Sequence, residues 1–269
     1  MYRLLEQAIC SDDIRIKEKL TAQCLSYCNQ NEVREEDGFV PVFFTEPSYV
    51  SMCTIVSPSK LPQRKDFDTK EGLATLVHAI AHIEFSAIDL ALDAVYRYTN
   101  MPMQYKRDWL EVAADEIRHF LMLEGLLKEL GYRYGDFPVH SGLFEAAQKT
   151  TGDILERMAI VPRYFEASGL DVGPHIIQKL HNKRKIPSVS KLIAMLHLIY
   201  KEEIVHVLKG DRWFKYLCQK EQKSDEIYFD ILQKYNLLHK HRPHVNVQGR
   251  KEAGFSCKEI KRLGASECS

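Results

Sequence analysis

Two glutamate–histidine pairs stand where a core helix should present only hydrocarbon. In LEVAADEIRHFLMLEGLLKEL, Glu116 and His119 are three residues apart and share one helical face. The stripe on that face reads Trp109, Val112, Ala113, Glu116, Phe120, Leu123 and Leu127. A second copy, Glu203 and His206, interrupts the stripe Leu192, Met195, Leu196, Ile199, Gly210 and Trp213 in KLIAMLHLIYKEEIVHVLKGDRWF. A buried unpaired charge costs several kcal/mol, so each pair calls for a compensating partner. A divalent metal is such a partner. In one four-helix bundle design, two helices each supply Glu-x-x-His and two others each supply a single Glu, around two ions.

The elements that would position these groups follow from periodicity. A helix over about 69–100, GLATLVHAIAHIEFSAIDLALDAVYRY, is apolar nearly all round and carries Glu84 at its middle. A helix over about 102–130 opens near Pro102 and ends at Gly131, and it carries the first pair. A third helix, over about 141–168, should be kinked or broken by Pro162. Its candidates for the lone ligand are Glu145, Glu156, on a solvated face, and Glu166, on a mostly apolar one, with Glu166 preferred and Glu156 next. A short helix near 174–184 precedes a fourth long helix, from about Ser188 to Gln219, with the second pair. Glu116 follows Glu84 by 32 residues and Glu203 follows Glu166 by 37, intervals that antiparallel hairpins bring level.

Outside this core, residues 2–29 read as one N-terminal helix, and 31–70 as a Pro-punctuated arm laid over the main body. Residues 221–269 add a helical piece over about 225–236 and a tail from 237 with seven Lys/Arg against three Glu. That tail is expected to be solvated and partly ordered, with an anionic or RNA contact as the alternative. Three parts result: 1–70, a bundle over 71–220, and 221–269.

Composition narrows the function. With 37 basic and 37 acidic residues, no whole-protein field points to nucleic acid or a membrane. No 18 apolar residues run together and MYRLLEQAICSDD lacks a signal-peptide pattern, so a cytoplasmic protein is expected. Seven scattered cysteines suit reduced thiols. Cys24 and Cys28 share a helix face and read as small buried residues rather than ligands. His78 and His82 lie off the Glu84 stripe and are read as making interhelical hydrogen bonds. Tyr164, Tyr200 and Trp213 are read as packing residues, and no phosphate loop or Rossmann fingerprint is present.

Taken in order, Glu84, Glu116-x-x-His119, Glu166 and Glu203-x-x-His206 resemble the ferritin-like non-haem di-iron carboxylate superfamily over about 80–210. Asp115-Glu-Ile-Arg-His119 is similar to the Asp-Glu-x-Arg-His element of its oxygenase and reductase branch. LVHAIAHIEFSAIDLALDA, EASGLDV and GDRWF further resemble a bacterial ferritin-like family of unassigned function, with distant similarity to a tRNA hydroxylase. The resemblance implies an all-α, ferritin-like antiparallel four-helix bundle holding two iron ions, with manganese as the alternative. It implies that Glu116 and Glu203 bridge the metals, that Glu84 and Glu166 are terminal, and that His119 and His206 each bind one ion. Asp115, with Arg118 beside it, would orient His206. The reciprocal position is Glu202, and Val205 stands where arginine is usual. An oxygen-rich shell with imidazole suits iron or manganese rather than structural zinc. The implied activity is dioxygen activation to oxidise or hydroxylate a substrate, with an electron-donor protein and a homodimer as further expectations. A ferroxidase or a metal-free scaffold is the alternative.

Overall fold

The Thr69 side chain accepts the Gly72 N–H at 3.0 Å, and from there the backbone stays helical from Lys70 to Arg97, with Glu71 in the first turn and Arg97 in the last. The computed structural model describes residues 1–30, 39–238 and 244–268. All regular structure among them is helical, and the one β-type pairing is an isolated bridge between Ile55 and Val139. The charged run at 32–37 and residues 239–243 of the tail lie outside the described residues.

The chain forms two compact units, and each takes residues from more than one stretch of sequence. The first contains 1–148 and 183–195, and the second 149–182 and 196–268.

In the first unit, α1 (Tyr2–Cys10), α2 (Ile14–Asn29), α3 (Lys70–Arg97) and α4 (Met103–Leu130) pack on one another. The expected single helix over 2–29 is two. Asp13 accepts the Arg15 N–H at 2.8 Å and starts α2 afresh, a cap that Ser-Asp-Asp at 11–13 already offers. Lys17, fully buried, donates to the carbonyl of Ala8 at 2.8 Å and to Asp89 on α3, so α1, α2 and α3 share one buried ion. The loop between α3 and α4 is short, so the two helices form a hairpin. Gly131, at φ +90, closes α4 where a side chain would be strained, and Tyr132 N–H reaches back to Leu127 C=O at 2.9 Å. By length and composition α3 is the one described helix that could cross a membrane, yet 83% of its most apolar window is buried within the fold.

The arm is docked. Tyr49 is buried with its ring edge-on to His82 at 4.7 Å, and Val56 N–H donates to Val139 C=O at 2.8 Å. Val42 N–H donates to the Tyr96 hydroxyl at 3.1 Å.

In the second unit the expected helix over 141–168 is segmented. After α5 (Gly142–Lys149), whose last residue alone belongs to this unit, Asp153 caps α6 (Ile154–Ile160) through the N–H groups of Leu155 and Glu156. Pro162 does not end the helix. A π turn over Val161–Glu166 carries it into α7 (Ala167–His181), because the wider i→i+5 turn accommodates a residue with no N–H to donate. The helix expected at 174–184 is the end of α7, with Pro174 inside it. Along α8 (Pro187–Lys220), Gly210 lets the backbone meet Pro162, since a Cβ there would lie 2.3 Å from the Pro162 Cβ.

Among the described residues the tail is folded, with more of it buried than the solvated, partly ordered extension expected from its charge. After α9 (Ile227–Lys234) come α10 (Val247–Glu252) and α11 (Cys257–Arg262), with Arg250, Phe255, Glu259 and Ile260 buried. Arg163, fully buried, sits 4.4, 4.3 and 4.7 Å from the rings of Phe214, Tyr228 and Phe255 and pairs with Asp211 at 3.0 Å and Glu259 at 2.6 Å. Arg250 pairs with Asp171 at 2.6 Å. One cation of the tail, Arg250, thus serves as a core residue, which a charge count cannot show. Cys257 and Cys268 form a disulfide, a departure from seven reduced thiols, while Cys10, Cys24, Cys28, Cys53 and Cys218 are free.

Candidate metal centre

Helix α3 brings Glu84, and α4 brings Glu116 and His119, to one level of the first unit. Glu84 is 5% exposed, Glu116 1% and His119 0%, so all three stand in hydrocarbon. The Nδ1 of His119 lies 3.1 Å from Glu84 Oε2 and 3.2 Å from Glu116 Oε2. The candidate ligand atoms of these three residues fall within 4.8 Å of one another, close enough for one cation to touch them all. Two carboxylates at such a distance repel. Burial first, and then the neighbouring Glu116 charge, hold the Glu84 carboxyl well above the ordinary carboxylate range. Burial works against a charge on His119, but its hydrogen bonds to Glu116 and Glu84 outweigh this and raise it. The group therefore attracts positive charge, and a metal ion can supply it.

In the second unit α8 carries the other pair. His206 is fully buried, and its Nδ1 lies 3.3 Å from Oε1 of the half-buried Glu203. Glu166, also half-buried, is the last residue of the π turn, a distortion common at functional sites. Its competitor Glu156 is otherwise engaged. It pairs with Lys234 and accepts the Tyr235 hydroxyl at 2.5 Å; burial opposes its charge, but these two partners prevail and lower its pKa. Glu202 is half-buried beside Glu203. Asp115, on α4, accepts a hydrogen bond from Arg118 at 2.8 Å.

His78 and His82 bind the loop after α4 rather than a second helix. The Nε2 of His82 faces the carbonyl of His140 at 2.9 Å, so this nitrogen carries the proton, and Nδ1 accepts the Tyr134 hydroxyl at 2.9 Å. His78 Nε2 accepts the Gly135 N–H at 2.9 Å. Tyr134 packs on Phe85 and Phe120, the residues that follow Glu84 and His119 in sequence, with centroids 5.3 and 5.0 Å away. Nothing in the spacing of the sequence signals Tyr134, because its place depends on the fold of an irregular loop.

A helical fold with buried carboxylates and an imidazole able to take a metal ion defines the class. The chain belongs to the family described as protein of unknown function (DUF455), whose model matches residues 10–261. It is similar to an uncharacterized protein of Haemophilus influenzae (strain Rd), 39% identical over 214 residues that cover 77% of this chain and 72% of the relative. No solved structure matches.

Proposed function

We propose that the protein is a ferritin-like non-haem di-iron oxidoreductase, with Fe/Mn as the alternative metal pair, that activates dioxygen to oxidise or hydroxylate a substrate. The observation behind this reading is the buried group Glu84, Glu116 and His119 on adjacent helices, together with a second Glu-x-x-His on α8. The full ligand set under this proposal is Glu84, Glu116, His119, Glu166, Glu203 and His206. Four carboxylates offset the charge of two divalent ions, which removes the repulsion that raises Glu84. When bound, the metal pair supplies reducing equivalents to dioxygen.

This chain's own residues supply the surroundings. Glu116 and Glu203 would be the carboxylates shared by the two ions, Glu84 and Glu166 would each hold one, and His119 and His206 would each present one ring nitrogen. Phe85 and Phe120, next in sequence to Glu84 and His119, and Leu123 are buried and add hydrocarbon to the core of this unit. Asp115 orients His206 by fixing its tautomer. Catalysis needs an electron donor, and a cytoplasmic reductase is the partner proposed.

The first experiment is elemental analysis of protein expressed with iron, together with thermal unfolding of the metal-free chain with and without Fe(II) under argon. Two irons per chain are expected, as are a stabilisation of about 3 kcal/mol at a hundredfold excess over Kd and oxygen uptake on exposure to air. Glu116→Gln keeps the shape but loses a charge, so it should fold as well as the wild type and lose both metal and stabilisation. Equal Fe(II) stabilisation in Glu116→Gln would remove the Glu116 group from iron binding, and no bound iron or manganese would leave a buried polar network without metal chemistry.

A further inference from the structure

The sulfur atoms at the junction of α1 and α2 form a separate group, independent of the carboxylates. Cys24 and Cys28 are both fully buried, one turn apart on the same face of α2. The Sγ of Cys28 lies 3.6 Å from the thioether Sδ of Met1, and the Sγ of Cys24 lies 3.9 Å from the carbonyl of the same residue. Both thiols therefore face one methionine, which is itself only half-buried, so the group lies one residue from solvent.

Its surroundings are cationic. Arg107 donates to the carbonyl of Cys28 from Nε at 3.1 Å and from a terminal nitrogen at 2.9 Å. Lys106, 5% exposed, has its ammonium 5.7 Å from the ring of Tyr2. Burial raises both thiols, Cys24 to about 12, and the charges of Lys106 and Arg107 on Cys28, with the N-terminal ammonium on both, act the other way without prevailing.

We propose that Cys24, Cys28 and the Met1 thioether form a binding site for a soft monovalent cation, Cu(I). Thiolate and thioether ligands select soft ions, and a three-sulfur set is too small for the closed four-ligand shell of structural zinc. The binding step is balanced without redox chemistry. Two S–H bonds release their protons to solvent, two thiolate–copper bonds form, and copper remains +1. The bound unit then carries one net negative charge.

The test uses the full metal-free chain in anaerobic buffer, titrated against the coloured Cu(I) complex of bathocuproine disulfonate. Bleaching of that complex and thiolate-to-copper absorption should report one Cu(I) per chain. Cys24→Ser and Cys28→Ser should each weaken binding by at least about a hundredfold, and Met1→Leu in an N-terminally extended chain by about tenfold. Cys53→Ser, Cys218→Ser and Glu116→Gln should bind as the wild type does, which separates this site from the carboxylate group. Copper X-ray absorption of the wild type gives a second readout that does not depend on how the variants fold, with a first shell of sulfur alone expected. Undiminished copper binding in the Cys24→Ser/Cys28→Ser double variant, nitrogen or oxygen in the first shell, or no copper retained against the competitor would each overturn the proposal.

Discussion

Glu84, Glu116 and His119 can each hold charge only by sharing it, because hydrocarbon surrounds all three. His78 and His82 solve the same problem the other way, by staying neutral. Burial pushes each imidazole down to about 4, against an ordinary value of 6.5. Their folded values lie below the unfolded one, so the native state binds fewer protons than the unfolded state between pH 6.5 and 4. The stability they contribute is full above pH 6.5 and is lost as pH falls toward 4, on the order of 3 kcal/mol for each histidine. Glu84 acts with the opposite sign, since its raised carboxyl favours the native state as pH falls. The His82 contribution is therefore isolated by comparing wild type with His82→Gln, by urea unfolding at pH 7.5 and pH 4.5. The gap between the two proteins should narrow on acidification, and a gap constant with pH would remove His82 from the acid response.

At the scale of the element, the meeting of the π turn with α8 is the most constrained point of the second unit. Pro162 occupies the space that a side chain at position 210 would need. Gly210→Ala should cost about 1–3 kcal/mol, because the clash is with a rigid ring and backbone rather than a flexible tip. Gly125, within α4, has nothing within 4 Å of its missing Cβ, so Gly125→Ala should gain about 0.5–1 kcal/mol from helix propensity alone. Chemical denaturation of both variants tests the contrast. Equal and opposite signs to those stated would mean that the packing of Pro162 against α8 is looser than described. The long helices α3, α4 and α8 were legible from periodicity and capping residues, to within a residue or two at most of their ends. The π turn was not, since proline reads locally as a break and only the backbone around it shows that the helix continues.

For the molecule as a whole, the C-terminal segment behaves as core. Glu259 and Phe255 close the cage around Arg163, and Arg250 locks onto Asp171. A chain ending at residue 243 would leave Arg163 without Glu259 and should lose about 3–5 kcal/mol in the second unit. Hydrogen exchange should then speed up along 196–217, while α3 and α4 keep the protection of the first unit. Unchanged exchange in 196–217 would show that the segment decorates the unit rather than completing it. The family match extends to residue 261, into α11.

Local chemistry carried much of the outcome. An apolar repeat of 3.6 residues, Thr69 and Pro102 at helix starts and Gly131 at a helix end set the all-helical class and the long elements. Glu116 and His119 stood out because a polar pair on an apolar stripe is costly wherever that helix packs. That Glu84 shares a hydrogen-bonding centre with them depended on the level at which α3 meets α4, a tertiary fact. Tertiary structure alone also decided that Glu156 is held by Lys234 and Tyr235, and that Arg250, Phe255 and Glu259 of the tail are buried. The reason is common to all of these. Periodicity reports what each residue prefers among its near neighbours, whereas a charge count, a proline or a lone carboxylate acquires its role from groups brought near by the fold.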